Sequence, residues 1–216
     1  MLGLLVKDLR VSLTRKYTVL VILIAALIMG IYMEGPFVLG YLTMIAIMLA
    51  VGTISYDEFD NGFVFLMTLP FDRKTYVREK YLFCFISASA AWCFAAVLYC
   101  TINLIRHNTA AITAELPMYL VLIPVIYIAA AIMIPLQLKF GAEKSRIVLY
   151  LIFGIIAGVV FTGKKMLDDA NLTDQMKTAL NSFSPAVAVI ALAAVFLLAA
   201  FISYLISVRI MQKKEF

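Results

Sequence analysis

Charged residues are scarce in this sequence. Asp, Glu, Lys and Arg together make up 14% of its 216 residues, against about a quarter in soluble domains. Hydrophobic residues make up 64%, and the mean hydropathy is +1.02. This balance excludes an ordinary soluble domain and predicts an integral membrane protein.

Ionisable residues are also missing from the interior of the long apolar runs. A charge at the centre of a bilayer costs about 2.5–3.5 kcal/mol on insertion scales, so it is expected there only where it has a function. The absence of such an ionisable residue argues against a proton-coupled secondary carrier. No repeat relates the two halves of the chain, which also weighs against the inverted-repeat architecture of such carriers.

The residues of hydrolytic and metal chemistry are few. The single histidine, His107, follows Arg106 and has no carboxylate or serine partner at a recognisable spacing. The sequence therefore lacks the set of catalytic residues that an intramembrane protease or a metalloenzyme needs, and no metal site is predicted. The three cysteines, Cys84, Cys93 and Cys100, share one apolar run without a metal or redox motif, so we interpret them as packing residues.

Six uncharged apolar runs remain, each long enough to cross a hydrocarbon core of about 30 Å. They predict an all-α, polytopic membrane protein with six transmembrane helices in a single domain, residues 1–216. The predicted spans are 17–33, 35–56, 81–105, 116–138, 147–163 and 185–208. The fourth run contains Pro117, Pro124 and Pro135, and the two that lie inside apolar sequence predict a kinked or weakened helix. Prolines are also frequent in ordinary membrane helices.

The placement of Lys and Arg predicts the orientation of the chain. Fourteen of the 18 fall on one side of the predicted spans, so both termini should be cytoplasmic. The net charge of +5 follows from this asymmetry, and no nucleic-acid partner is inferred from it. The other four are Arg106, Lys164, Lys165 and Lys177.

The stretch GVVFTGKK, residues 158–165, nearly matches a phosphate-binding loop. Lys165 replaces the hydroxyl residue that would hold magnesium, and the stretch closes an apolar helix instead of joining a strand to a helix. We therefore predict no nucleotide or other cofactor in this chain. Gly154 and Gly158 form a G-x-x-x-G pattern, which predicts close helix packing, and Gly163 can end the span.

The N-terminus has the pattern of a short amphipathic helix. Leu2, Leu5, Val6, Leu9 and Leu13 share one face, while Lys7, Asp8 and Arg15 lie opposite. The pattern predicts a helix lying in the membrane interface against lipid, ahead of the first span. The alternative is an ordinary basic flank.

The segment Ser55–Lys80 contains the most structural signals of any part of the sequence. Ser55–Glu58 has capping-box form, several phenylalanines follow, Pro70 breaks the element, and Asp72 can cap the next helix. We predict a short cytoplasmic coupling helix that docks on a partner; the alternative is a segment resting in lipid headgroups. The candidate contact residues are Asp57, Glu58, Phe59, Asp60, Asn61, Phe63 and Phe65.

Two stretches resemble the loops of short ABC-2 type permeases. The first is LPFDRKTYVREKY, residues 69–81, after SYDE at 55–58; the second is PLQLKFGAEKSR, residues 135–146. Asp72 and Leu138 depart from the family pattern as we know it, although Asp caps a helix as well as Ser does. In the second stretch the residues of the K-x-G-x-E-K-x-R pattern are Lys139, Gly141, Glu143, Lys144 and Arg146.

The resemblance implies a non-catalytic permease subunit of an ATP-driven exporter in the cell membrane, of bacterial type. Two copies of a cytoplasmic ABC ATPase would bind ATP and magnesium, and a second permease copy or a paralogue would complete the pathway. Relatives of this type export small amphipathic peptides or hydrophobic drugs. The alternatives are a non-transporting membrane scaffold or immunity protein, and a secondary carrier.

Overall fold

The structure, a computed structural model, describes residues 1–14, 16–32, 37–59, 62–169 and 185–214. Within these ranges the chain is helical, with short turns and no strand. This confirms the predicted all-α class. An α-helix satisfies its backbone hydrogen bonds within one segment, which is what a lipid environment demands.

Seven helices form in the described ranges. The helix α4 is short, and α6 contains two helical halves joined at Gly141. The helices are α1 (Leu2–Thr14), α2 (Lys16–Tyr32), α3 (Phe37–Glu58), α4 (Gly62–Met67), α5 (Arg73–Ile105), α6 (Thr109–Asp169) and α7 (Pro185–Lys213).

Four helical segments of the described chain are long and apolar enough to cross a membrane. They are α3, α5, the part of α6 from Met118 to Gly141, and the part of α7 from Ala193 to Lys213. A fifth is reached if α1 and α2 count together as one broken span. The predicted span 147–163 falls in the second half of α6, where few side chains are described. The structure thus supports four to five spans, and six stays a prediction.

The described core has two clusters of buried apolar side chains, and further apolar side chains cover the outside of the bundle. Ala26, Val38, Leu39 and Ala95 are buried at one end. At the other end the core joins six helices, and its fully buried members include Ile47, Ile54, Val77, Ile134, Leu138 and Met211. Exposed apolar residues such as Phe201 on α7 provide the outer surface that lipid requires.

The orientation of α1 reverses the arrangement of a soluble amphipathic helix. Leu2, Val6, Leu9 and Leu13 are exposed, whereas Asp8 is completely buried. Four of the five residues of the predicted apolar face therefore point away from the protein, as they would towards lipid, whereas Leu5 is partly buried against the core. The polar face packs on α3 and α5.

The break in α6 lies at a glycine. Gly141 has φ +74° and ψ −179°, a conformation that few other residues adopt. The side chain of Glu58 lies over it, because a Cβ atom built on Gly141 would be 2.9 Å from Glu58 Oε2. Pro124 and Pro135 lie within helical backbone. The break thus lies at a glycine instead of a proline, six positions after Pro135.

Two predicted helix caps are wrong in detail. The capping box Ser55–Glu58 does not begin a helix, because α3 continues through Glu58 and the Ser55 hydroxyl accepts a hydrogen bond from Gln137 Nε2. Asp72 does occupy the N-cap position of α5, with φ −81° and ψ 153°, but its side chain makes no capping hydrogen bond. The backbone carbonyl of Asp72 accepts the first intrahelical hydrogen bond, from the Tyr76 amide at 3.1 Å, as at any N-cap.

Candidate functional site

The end of the bundle that carries both termini also carries the predicted coupling segment. We call it the loop end: the C-terminus of α3, helix α4, the N-terminus of α5, Gly141, and the adjoining parts of α1 and α7. Three helices each place a pair of polar residues there. The pairs are Lys7 and Asp8 on α1, Thr53 and Asp57 on α3, and Tyr76 and Lys80 on α5.

Asp8 is the centre of one half of this ion network. Its carboxylate contacts the Lys80 ammonium group and accepts a 3.0 Å hydrogen bond from Thr53 Oγ1. The Lys80 ammonium also donates to Thr53 Oγ1 at 3.0 Å. Asp8, Thr53 and Lys80 are all buried, so α1, α3 and α5 meet through one closed set of polar contacts.

Asp57 is the centre of the other half. Its Oδ2 atom lies 2.7 Å from Lys80 Nζ and accepts a 2.9 Å hydrogen bond from the Tyr76 hydroxyl. Its Oδ1 atom contacts Lys7, whose ammonium group also lies 3.0 Å from Asp8 Oδ1. Each lysine therefore joins both aspartates. The network has the geometry to move α1, α3 and α5 as a unit.

These contacts set the charge states of Asp8 and Lys7 on α1. Burial raises the pKa of Asp8, but the charges and hydrogen bonds of Lys80 and Lys7 outweigh it, so its pKa is lowered from 3.8. Burial lowers the pKa of Lys7, while Asp57 and Asp8 raise it, with a net rise above 10.5. Both groups are therefore charged at neutral pH, which keeps the ion network intact.

Glu79 lies next to the ion network and takes no part in its hydrogen bonds. It is fully buried, and neither carboxylate oxygen has a hydrogen-bond partner among the described residues. The ion network and Glu79 together hold three carboxylates, those of Asp8, Asp57 and Glu79, and two ammonium groups, those of Lys7 and Lys80. Glu79 is therefore the one acid of this region whose burial no described contact offsets.

The predicted coupling residues divide into buried and exposed sets. Asp57 and Phe63 are buried, and Phe63 packs edge-on against Tyr76, with ring centroids 5.8 Å apart. Phe59 and Phe65 are 73% and 68% exposed. Asp60 and Asn61 lie outside the described residues. The exposed surface of this segment therefore includes Phe59 and Phe65, while Phe63 and Asp57 anchor the segment to the bundle.

Glu58 connects the coupling segment with the kink and with the C-terminus. It lies over Gly141, and its Oε1 atom is 3.3 Å from Lys214 Nζ. The Lys214 ammonium group is also 4.6 Å from the centre of the Phe63 ring. Arg73 in turn donates hydrogen bonds to the backbone carbonyls that end α7, those of Met211, Gln212 and Lys214.

The second predicted loop is described in part. Gly141 is buried at the kink, whereas Lys139 and Lys144 are exposed. Glu143 and Arg146 lie in helical backbone, but their side chains are outside the described set. The same is true of the surroundings of Gly158. At Gly154 an added Cβ atom would meet nothing within 4 Å, so its predicted packing partner is not among the described parts of this chain.

The site residues that sequence reasoning missed are Lys7, Asp8, Thr53, Tyr76, Glu79 and Lys80. A signal was present for some of them, because Thr53 and Asp57, and likewise Tyr76 and Lys80, are four residues apart and so share a helix face. Among the described residues, no group of three His, Cys, Asp or Glu side chains is arranged to hold a metal ion. The arrangement suits the transfer of motion between helices.

Comparison with known proteins places the chain in a family. No curated protein and no solved structure matches it. A family profile described as ABC-2 family transporter protein matches residues 3–212, nearly the entire chain. The match covers both loops that carry the resemblance and every helix described above. The chain belongs to the ABC-2 family of transporter proteins.

Proposed function

We propose that this chain is the permease subunit of an ATP-driven exporter in the cell membrane, with both termini in the cytoplasm. ATP and magnesium would bind to two copies of a separate ABC ATPase, and a second permease copy or paralogue would complete the pathway. The transported molecules would be small amphipathic peptides or hydrophobic drugs. Membership of the ABC-2 family supports the transporter class.

One observation carries the proposal: two exposed aromatic side chains flank a buried anchor. Phe59 and Phe65 project from the loop end, and Phe63 between them is buried against Tyr76. Exposed aromatic residues on a rigid base are typical anchors of protein interfaces. A groove on the ATPase that accepts both rings would hold the segment firmly enough to push it.

The contacts at the loop end suggest how such a push would reach the membrane. From Phe63 it would pass to Tyr76, and from there through Asp57 and Lys80 to α5 and α1. A second route runs from Glu58 to the kink of α6. Buried ion pairs resist separation because each charge would be left without a partner, so the helices would move together.

Gly154 supports the proposed second permease copy. A Cβ atom added at Gly154 would meet no atom of the described chain within 4 Å, and small residues let two membrane helices approach closely. A copy of the same helix is a fitting partner for such a position. On this proposal Gly154→Leu would leave the monomer folded and weaken its self-association.

Coexpression with the ABC ATPase encoded nearest to its gene tests the proposed function. We expect a detergent-stable complex with equal numbers of permease and ATPase subunits, which hydrolyses ATP while the isolated permease does not. Failure of the ATPase to copurify under gentle extraction would favour the scaffold or immunity interpretation. ATP hydrolysis by the isolated permease would contradict the proposal that a separate subunit hydrolyses ATP.

A further inference from the structure

Two apolar cavities lie one after the other along α5. The larger has a volume of about 470 Å³ and is lined by Trp92, Ile123 and other apolar residues of α5, α6 and α7. The smaller, of about 290 Å³, lies nearer the loop end and is lined by Tyr81, Ile134 and Arg78. Phe85, Tyr127 and Phe196 line both, so the two cavities adjoin at these rings, and we call the pair the track.

The shared wall of the track is an ordered aromatic cluster. The Phe85 and Tyr127 rings stack with centroids 4.9 Å apart, and Phe196 lies 5.4 Å from Tyr127. The Tyr127 hydroxyl is hydrogen-bonded to Ser89 Oγ at 2.5 Å, and Thr43 Oγ1 donates to the Leu39 carbonyl at 2.6 Å. The indole N–H of Trp92 is the polar group of this lining that has no hydrogen-bond partner among the described residues. No charged side chain lines the larger cavity among the described residues. Its surface therefore suits a hydrocarbon.

Arg78 is the charged residue at the other end of the track. It lines the smaller cavity, its side chain is exposed, and it makes no ion pair with the described residues. A guanidinium group in this position suits a phosphate group, which it can bind through two parallel hydrogen bonds. The track thus has an anion-binding end and an apolar end.

The length of the track matches one leaflet of a bilayer. Arg78 and Trp92 are 14 positions apart on α5, which corresponds to about 21 Å along a helix. Half of a bilayer including its headgroups is about 20–22 Å thick. A molecule with a phosphate at Arg78 and an extended acyl chain would therefore reach Trp92 near the middle of the membrane.

We propose that this track is a binding site for an anionic phospholipid, with the phosphate at Arg78 and one acyl chain lying along Phe85, Tyr127 and Phe196 towards Trp92. The site would hold a lipid of the surrounding membrane whether or not an ATPase is bound. It therefore stands apart from the exporter proposal. The two ideas can fail separately.

Trp92 is the only tryptophan of the protein, so its fluorescence reports on the apolar end of the track. The purified chain would be placed in zwitterionic phosphatidylcholine vesicles that contain a minority of phosphatidylglycerol brominated near the end of its acyl chains. Bromine quenches tryptophan on contact. We expect Trp92 to be quenched about fivefold more effectively than by brominated phosphatidylcholine at the same mole fraction, the preference that one arginine near a membrane surface provides.

The matched variants are Arg78→Gln and Lys74→Gln. Both remove one exposed cation from the same helix, but Lys74 does not line the track. Arg78→Gln should abolish the preference for phosphatidylglycerol, and Lys74→Gln should retain it. Equal quenching by the two lipids in the unmodified protein, or an unchanged preference in Arg78→Gln, would overturn the proposal.

A cavity-filling variant tests the proposed path of the acyl chain independently of charge. Ala200 lines the smaller cavity and is partly exposed, so Ala200→Phe should fit without unfolding the protein and should obstruct the track. We expect its thermal unfolding to match the unmodified protein and its excess quenching by brominated phosphatidylglycerol to be lost. Full excess quenching in a stably folded Ala200→Phe would contradict the proposed path of the acyl chain.

Discussion

The ammonium group of Lys80 on α5 lies 2.7 Å from Asp57 Oδ2 at the end of α3. The same ammonium group contacts Asp8 of α1, so one lysine joins three helices. Its side chain is 1% exposed. A charge buried this deeply is tolerated because two carboxylates and a hydroxyl surround it. The loop end therefore depends on Lys80 for its arrangement.

Lys80→Met tests this dependence. The substitution leaves Asp8 and Asp57 buried with one fewer positive partner, and removal of one member of a buried pair typically costs about 3–5 kcal/mol. We expect a large fall in the thermal unfolding temperature in detergent, followed by Trp92 fluorescence. Lys74→Met, an exposed lysine of the same helix, is the control and should unfold as the unmodified protein does. Similar unfolding temperatures for the two variants would argue against the ion network.

Glu79→Met should have the opposite effect on stability, although Glu79 adjoins Lys80 in the sequence. Its buried carboxylate has no described hydrogen-bond partner, and its removal leaves two carboxylates for two ammonium groups. Replacing a buried charge of this kind by an apolar side chain is typically neutral or stabilising by about 1 kcal/mol or more. The same unfolding assay measures the effect. A loss as large as that of Lys80→Met would mean that Glu79 is an essential member of the ion network.

The contribution of Asp8 should depend on pH. Because its pKa is lowered below 3.8 in the folded protein, its charged contacts stabilise the fold above that pH and are lost as the pH falls through the lowered value. Asp8→Asn lacks this contribution at every pH. The stability difference between Asp8→Asn and the unmodified protein should therefore be largest near neutral pH and shrink below pH 3.8. A difference that does not change with pH would point to packing instead of charge.

Gly141→Ala and Gly154→Ala form a matched pair on α6. The first places a Cβ at φ +74° and 2.9 Å from Glu58, which should cost about 1–3 kcal/mol. The second places a Cβ in open space inside a helix, where Ala is favoured over Gly by roughly 0.5–1 kcal/mol. Unfolding of the two variants in detergent measures both effects. If Gly141→Ala were as stable as Gly154→Ala, the kink would not require a glycine.

Several features of the fold were predictable from composition and periodicity alone. The apolar runs identified the helices, and the spacing of Leu2, Val6, Leu9 and Leu13 identified α1 and its apolar face. The run from Tyr81 to Ile105 matches the second and longer part of α5. These features depend on local sequence, which sets both helix formation and the apolar face.

The ion network could not be predicted in the same way. Asp8 is 45 positions from Thr53 and 72 from Lys80, and only the packing of three helices brings them together. The sequence placed Asp8 on the face of α1 opposite the apolar one and gave it no partner on another helix. In this protein the apolar face of α1 is the outward one, so the charged face turns inwards. Helix periodicity identifies the two faces, but the surrounding medium decides which one is buried.

The division of the coupling segment also required tertiary packing. Phe59, Phe63 and Phe65 are equivalent by composition, and nothing local distinguishes the anchor from the exposed rings. Phe63 is buried where Tyr76 and Lys214 both pack against its ring. Its replacement by Ala should cost about 3–5 kcal/mol of stability. It is therefore a poor residue for testing contact with a partner, and Phe65 is the better one.

The most direct test of the proposed function is the affinity of the ATPase for the Phe65→Ala variant in nanodiscs. Phe65 is exposed, so the variant should keep the unfolding temperature of the unmodified protein. Loss of an aromatic interface anchor worth about 2 kcal/mol or more would weaken binding at least about tenfold and reduce ATP-driven transport. Phe201→Ala, an exposed phenylalanine on α7 away from the loop end, should bind normally. Unchanged ATPase binding by a folded Phe65→Ala variant would contradict the proposal that this segment couples the two subunits.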